Sequence, residues 1–225
     1  MASGNSPHQS QVKAVIFDFG GVLCFHPSPE QISHAAQSIG VPAANFERAL
    51  WTNRIEYDAG RVEPETYWSQ VAALALSPAA DAVRLLTGTD ANLWNRHDER
   101  VIAWARMLRE RGFRTAILSN LPRRLGHALR ARPGFLEHFD HITFSYELGF
   151  VKPQREIYED AVRGLGLRPA EALFLDDRPD NVEGALKAGL LALLYKSWEE
   201  FLASDPASHY GLPMPAGAVA TARRQ

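Results

Sequence analysis

Five short apolar runs, AVIF, TAIL, ITF, ALFL and LLALLY, recur along the chain, and most are followed by a polar turn and then by a helical pattern. Runs of that length bounded by turn residues read as buried strands. Strands alternating with helical segments make a parallel sheet covered by helices on both faces, an α/β Rossmann-like core. The alternation breaks once, because about a hundred residues separate Asp18, at the end of the first run, from Ser119, at the end of the second. A single crossover helix needs far fewer. Helical periodicity fills the gap at about 30–39, 43–51, 64–75 and 79–94, punctuated by IGVP, DAGRVEP and LSP. Residues 27–94 are therefore expected to form a small helical cap, with 11–26 and 95–203 making the Rossmann-like core. The stretch DERVIAWARMLRERG opens on an acidic turn and stops at Gly112, as a helix covering the sheet should. Residues 204–225 are rich in Pro, Gly and Ala without a period, so the expectation there is a loosely ordered tail.

At 225 residues the chain suits one domain with an insertion or two modest domains. A formal net charge of -2 gives no general reason to bind nucleic acid or an anionic membrane, so any anion must be recognised locally. The single cysteine, Cys24, can form neither an internal disulfide nor a thiolate metal cluster; it reads as a small buried apolar residue and fits a reducing compartment. No apolar run approaches the roughly 20 residues that span a bilayer, and MASGNSPHQS lacks the basic-then-apolar order of a signal peptide. A cytoplasmic location is expected. Nothing in the pattern sets the oligomeric state.

Open parallel sheets bind ligands beyond the carboxyl ends of their strands. Read there, the chain places Asp18 after the first strand, Ser119 and Asn120 after the second, Lys152-Pro153 in the loop after the third, and Asp176-Asp177, with Asn181 following, after the fourth. Alone, each of these is an ordinary turn or cap signal; in this order, each just past a strand, they form a constellation. Carboxylates from different strands repel unless a hard cation lies among them, and Mg2+ favours a few carboxylates, waters and a substrate phosphate. Asp18, Asp176 and Asp177 meet that requirement. A hydroxyl, an amide and a lysine supply donors to phosphoryl oxygens, leaving one carboxylate to attack phosphorus in line.

These motifs, from about Val12 to Glu200, resemble the haloacid dehalogenase superfamily in the branch whose cap is inserted after the first strand. The resemblance implies that Asp18 is the nucleophile, Ser119 and Asn120 meet the substrate phosphoryl group, Lys152 is the basic catalytic residue, and Mg2+ is held by Asp18, Asp176, Asp177 and the backbone carbonyl of Gly20. It implies a phosphatase acting on a small phosphorylated substrate through an aspartyl-phosphate. FDFGGVL departs from the family's common pattern, which carries a second aspartate, the general acid and base, where this chain has Gly20. A positioned acid or base is worth about 10²–10⁴-fold, so its loss points to slow turnover, a substrate with a good leaving group or a substitute acid, for which His26, just past the glycine turn, is the candidate. Glycosyl phosphates, with their better leaving oxygen, are one substrate class that fits. The rival within enzymes is a metal-independent 2-haloacid dehalogenase, which also lacks the second aspartate but lacks the acidic pair as well; FLDDRPDN keeps both acids. A silent binding protein on the same fold would not need Asp18, Ser119, Lys152 and the acidic pair together. Within the cap, Arg54, Glu56, Tyr57 and Arg61 are the polar residues able to face a closed site.

Overall fold

The computed structural model describes residues 12–215. Strand β1 (Ala14–Phe17) is followed by a helical insertion of α1 (Pro29–Ser38), α2 (Ala43–Trp51), α3 (Arg54–Asp58), α4 (Pro64–Leu74), α5 (Ala82–Leu86) and α6 (Thr89–Leu93). The chain then returns through α7 (Glu99–Glu110) to β2 (Arg114–Ser119), α8 (Arg123–Ala131), β3 (His141–Phe144), α9 (Ser145–Leu148) and α10 (Arg155–Leu165). It ends with β4 (Ala172–Asp176), α11 (Pro179–Lys187), β5 (Leu191–Leu194), α12 (Trp198–Ala203) and α13 (Pro206–Tyr210). All five strands are parallel, in the order β3-β2-β1-β4-β5. β1 is therefore central, and the ends of β2 and β4 flank its own.

Side chains of β1 alternate between two apolar layers, as a strand buried on both faces requires. Val15 and Phe17 join the layer that holds Trp104 of α7, with the Phe17 and Trp104 rings 5.6 Å apart and edge-on. Ala14 and Ile16 face the opposite layer with Ile157 and Tyr158 of α10. Helix starts follow local chemistry. Ser28 and Gln31 close a capping box on α1, and Asp98 accepts from the Arg100 N–H at the start of α7.

The segment between β1 and the insertion folds back on itself: the Cys24 N–H donates to the Phe19 carbonyl at 2.8 Å and the Gly21 N–H to the Cys24 carbonyl at 2.7 Å. It also pairs with the returning chain, Phe25 N–H to Arg96 O at 2.8 Å and Asp98 N–H to Leu23 O at 3.0 Å. The two connections between cap and core thus run side by side. Cys24 is buried here, and burial pushes its thiol up to about 12, which leaves it a core residue.

Two expectations need correction. The stretch 79–94 is not one helix: α5 and α6 are separated at Thr87 and Gly88, where the backbone takes φ +86°, a value glycine adopts without steric cost. The first part of the expected loose tail is ordered. Asp205 caps α13, Leu212 is buried, and the Trp104 indole donates to the Pro213 carbonyl at 2.9 Å. Packing on α7 supplies what the local composition does not, and residues 216–225 lie outside the described region.

Candidate active site

The carboxyl ends of β1, β2 and β4 and the loop before α10 meet beneath the cap in a cavity of about 680 Å³. Asp18 extends β1 by one residue, its N–H bonded to Leu175 O at 2.9 Å. Its Oδ1 accepts from the Phe19 N–H at 2.6 Å and lies 2.8 Å from the Lys152 ammonium. Lys152 also donates to Asp176 Oδ2 at 2.7 Å and to Leu118 O at 3.2 Å. The lysine is 3% exposed, so its charge is tolerated only because two carboxylates hold it.

The two acids of the pair are in different situations. Asp176 is fully buried and saturated: besides Lys152, the Arg178 N–H donates to it at 2.8 Å and the Asn181 amide at 3.0 and 3.1 Å. Tyr158 fixes Asn181 in turn, donating to its carbonyl at 2.7 Å. Asp177 opens on the cavity, where its side chain is 2.9 Å from His26 Nε2. Asp18, Asp176 and Asp177 each present one oxygen within 4.8 Å of the others. Burial, with the repulsion of Asp176 and Asp177, pushes the Asp18 carboxyl up to about 7 against the pull of Lys152. The bond to Asp177 holds the His26 imidazolium above its ordinary range, although burial opposes it. Burial disfavours charge on Lys152, but Asp176 and Asp18 outweigh it and keep the ammonium charged.

The set expected at the strand ends is therefore brought together, and Asp18, Gly20, Ser119, Asn120, Lys152 and Asp177 all line one cavity, with Asp176 directly beneath. Asn120 lines the cavity and also braces the lysine: its Oδ1 accepts from the Lys152 N–H at 2.8 Å and its Nδ2 donates to the Lys152 carbonyl at 3.1 Å. Of the cap residues singled out, only Arg54 borders the cavity. Glu56 and Arg61 pair with each other at 2.9 Å on the surface, and Tyr57 is buried with its ring stacked 4.0 Å from that of Tyr67.

Arg54 belongs to a buried network the sequence did not disclose. It donates to Asp58 at 2.8 Å and to Asp90 at 2.8 Å, and Tyr57 donates its hydroxyl to Asp90 at 3.0 Å. One guanidinium serves two carboxylates, and burial together with Asp90 pushes the Asp58 carboxyl up to about 7. Arg178, also unanticipated, brings a further cation to the cavity edge; its place just after the acidic pair was the signal available.

A buried aspartate at the end of the central strand, a lysine paired with it and helices over the cavity they line define a capped hydrolase with a Rossmann-like core. The chain belongs to the haloacid dehalogenase-like hydrolase family, whose model matches residues 12–189. Among curated proteins it is 29% identical over 181 residues to a sesquiterpene phosphatase of Aspergillus oryzae, a match covering 80% of this chain and 88% of that protein. It is 36% identical over 95 residues to a glyceraldehyde 3-phosphate phosphatase of Methanopyrus kandleri, covering 41% of this chain and 40% of the relative. Among solved structures, a family enzyme of Bacteroides thetaiotaomicron in complex with magnesium and inorganic phosphate superposes with a TM-score of 0.69 at 20% identity, covering 84% of this chain and 98% of that one. The L-2-haloacid dehalogenase of Xanthobacter autotrophicus gives 0.61 at 22% identity, covering 88% and 83%. At these identities the structural matches establish the fold. Among the described residues no helix is long and apolar enough to cross a membrane.

Proposed function

We propose that the protein is a Mg2+-dependent phosphatase of a small phosphorylated metabolite, working through an aspartyl-phosphate on Asp18. The observation that carries this reading is the convergence of three carboxylates within 4.8 Å on a cavity whose floor is a buried lysine. Two relatives named as phosphatases support it. The donor set fits the ion: carboxylate oxygens from Asp18, Asp176 and Asp177, in a cavity that Gly20 also lines, are hard ligands of the kind Mg2+ takes. Asp18 and Asp177 would hold it most directly, since Asp176 is already engaged by Lys152, Asn181 and the Arg178 N–H. When bound, Mg2+ would offset the charge of the carboxylates and of the incoming phosphate.

Asp18 attacks phosphorus, the bond from phosphorus to the ester oxygen breaks with its electron pair going to that oxygen, and the leaving alkoxide takes its proton from His26, the substitute acid that lines the same cavity. Lys152, fixed on Asp18 Oδ1, orients the nucleophile and meets the phosphoryl charge, while Ser119 at the end of β2 offers its hydroxyl to a phosphoryl oxygen. Water then attacks the acyl phosphate, releasing inorganic phosphate and restoring the carboxylate. Residues 27–94, the cap, close over the cavity and exclude bulk water while this happens. Phosphate release from a panel of phosphorylated metabolites, with Mg2+ and with a chelator, tests the reading. Activity should require the metal, and Asp18→Asn should lower kcat by about 10⁴-fold or more while the fold persists. Full activity in chelator, or in the Asp18 variant, would overturn it.

A further inference from the structure

The cavity has two unlike ends. Its ionic groups, among them Asp18, Lys152, Asp177 and Arg178, come from the strand-end loops. Toward the cap the lining is Trp51, Ile55 and Trp94, with Leu121 and Leu125 below them. Trp51 and Ile55 are 44% and 46% exposed, large apolar side chains left uncovered on the wall of a cavity rather than packed into the cap. The Trp51 and Trp94 rings meet edge to face at 6.5 Å, so the two indoles form a continuous surface. The charged groups on this side are turned to one another. Arg54 is held by Asp58 and Asp90 and is 8% exposed, so its charge is answered within the cap.

The Gly20 backbone belongs to the same surface. A Cβ at position 20 would lie 2.8 Å from Cζ3 and 3.1 Å from Cη2 of Trp94, so the benzo edge of the indole fills the space a side chain there would occupy. The space a side chain at position 20 would take is thus walled by hydrocarbon.

Resting on the phosphatase reading above, we propose that the substrate is the phosphate monoester of an apolar alcohol, its hydrocarbon body seated on Trp51, Ile55 and Trp94 and its phosphate on the strand-end groups. A volume of about 680 Å³ leaves room for such a body beyond the phosphate, and it lies within the roughly 300–1,000 Å³ of small-molecule sites. A polyhydroxylated sugar in that place would lose water from its hydroxyls and find aromatic carbon in return, an exchange that costs free energy for each hydroxyl left without a partner. This overrides the glycosyl phosphate suggested by leaving-group chemistry alone.

The test uses phenyl phosphates carrying 4-methyl to 4-butyl tails, which lengthen the hydrocarbon while the leaving oxygen stays nearly constant. 4-(2-Hydroxyethyl)phenyl phosphate, glucose 1-phosphate and acetyl phosphate complete the panel. kcat/KM should rise by up to about fourfold per methylene, the hydroxyethyl compound should fall below its ethyl analogue, and glucose 1-phosphate should be poorest. Trp51→Gln and Ile55→Gln, at half-exposed positions where glutamine is accommodated, should flatten the chain-length series through KM. A series flat in the native enzyme, or glucose 1-phosphate preferred to the alkylphenyl esters, would overturn the inference and leave the phosphatase reading standing. Absence of phosphate release from every compound, acetyl phosphate included, would overturn that reading and this one with it.

Discussion

Gly20 and Gly21 are adjacent, yet different neighbours forbid a side chain at each. At Gly21 the backbone has φ +77° and a Cβ would fall 2.5 Å from Cγ of Asp177, so both the conformation and the approach of the acid demand glycine. At Gly20 the nearest obstacle is the ring of Trp94. Restoring the family's acid by Gly20→Asp should therefore destabilise the protein, by about 1–3 kcal/mol as overpacking does. Adding Trp94→Ala should relieve that clash, and the double variant should be less destabilised than the sum of the singles by about 0.5–3 kcal/mol in a urea-unfolding cycle. Strict additivity would show that the ring is not the obstacle. Only in the double variant does a carboxylate gain space beside the leaving oxygen, where it should raise turnover of a simple alkyl phosphate by about 10²-fold.

Helix α3 carries more charge into the interior than its five residues would suggest, and its partner Asp90 comes from α6. Removing Arg54 by Arg54→Ala would leave two buried carboxylates without a counter-charge and should cost about 3–5 kcal/mol, measured by denaturant unfolding. The same network sets a pH dependence. Asp58 is raised in the fold from 3.8 to about 7, so between those values the folded chain keeps a proton that the unfolded chain has lost. Stability must then fall as pH rises through that window and level off above about 7. With Mg2+ present throughout, the Tm difference between native protein and Asp58→Asn should change across pH 4–7 in that sense; a constant difference would show that Asp58 titrates normally. This element was the least legible in the sequence. The strands announced themselves because short apolar runs between turn residues have no other stable use, and the strand-end acids followed from the sheet. In the sequence Arg54 reads only as a residue able to face the closed site, and nothing draws Asp58 or Asp90 to it, because their mutual satisfaction is a fact of packing, with Arg54 and Asp90 lying 36 residues apart. The Trp94 contact with Gly20 was equally hidden, while α13 is marked by Asp205, Pro206 and Gly211 inside a stretch whose overall composition suggests a loose tail. Asn120 is legible by its position, but its second task, bracing the Lys152 backbone, is a fact of packing that the sequence could not show.

Over the whole molecule, the cap is tied to the core at several points: Ser145 donates its hydroxyl to the Asp58 carbonyl, Arg61 donates to Gly149 O at 2.8 Å, and Arg124 pairs with Glu65. The carboxylates beneath the cap repel one another, so Mg2+ should stabilise the folded chain as a whole. At about a hundredfold over its Kd the gain should be about 2.7 kcal/mol, seen as a Tm increase that a chelator reverses. Asp177→Asn should largely abolish that increase, whereas Asn120→Ala should keep it and lower kcat by loosening Lys152. An undiminished shift in Asp177→Asn would remove that residue from the metal site.

The central place of β1 also has a consequence for how the chain is made. The strand that carries Asp18 leaves the ribosome first, but its two neighbours are β2 and β4, and β4 ends at Asp176. At about 5–20 residues per second, the AVIF segment waits about 5 to 20 seconds for the end of its first partner and about 8 to 32 for that of its second. During synthesis, then, the segment that becomes the most protected in the finished enzyme is the one exposed longest, and a nascent-chain holdase should bind there before Ala172 has been added.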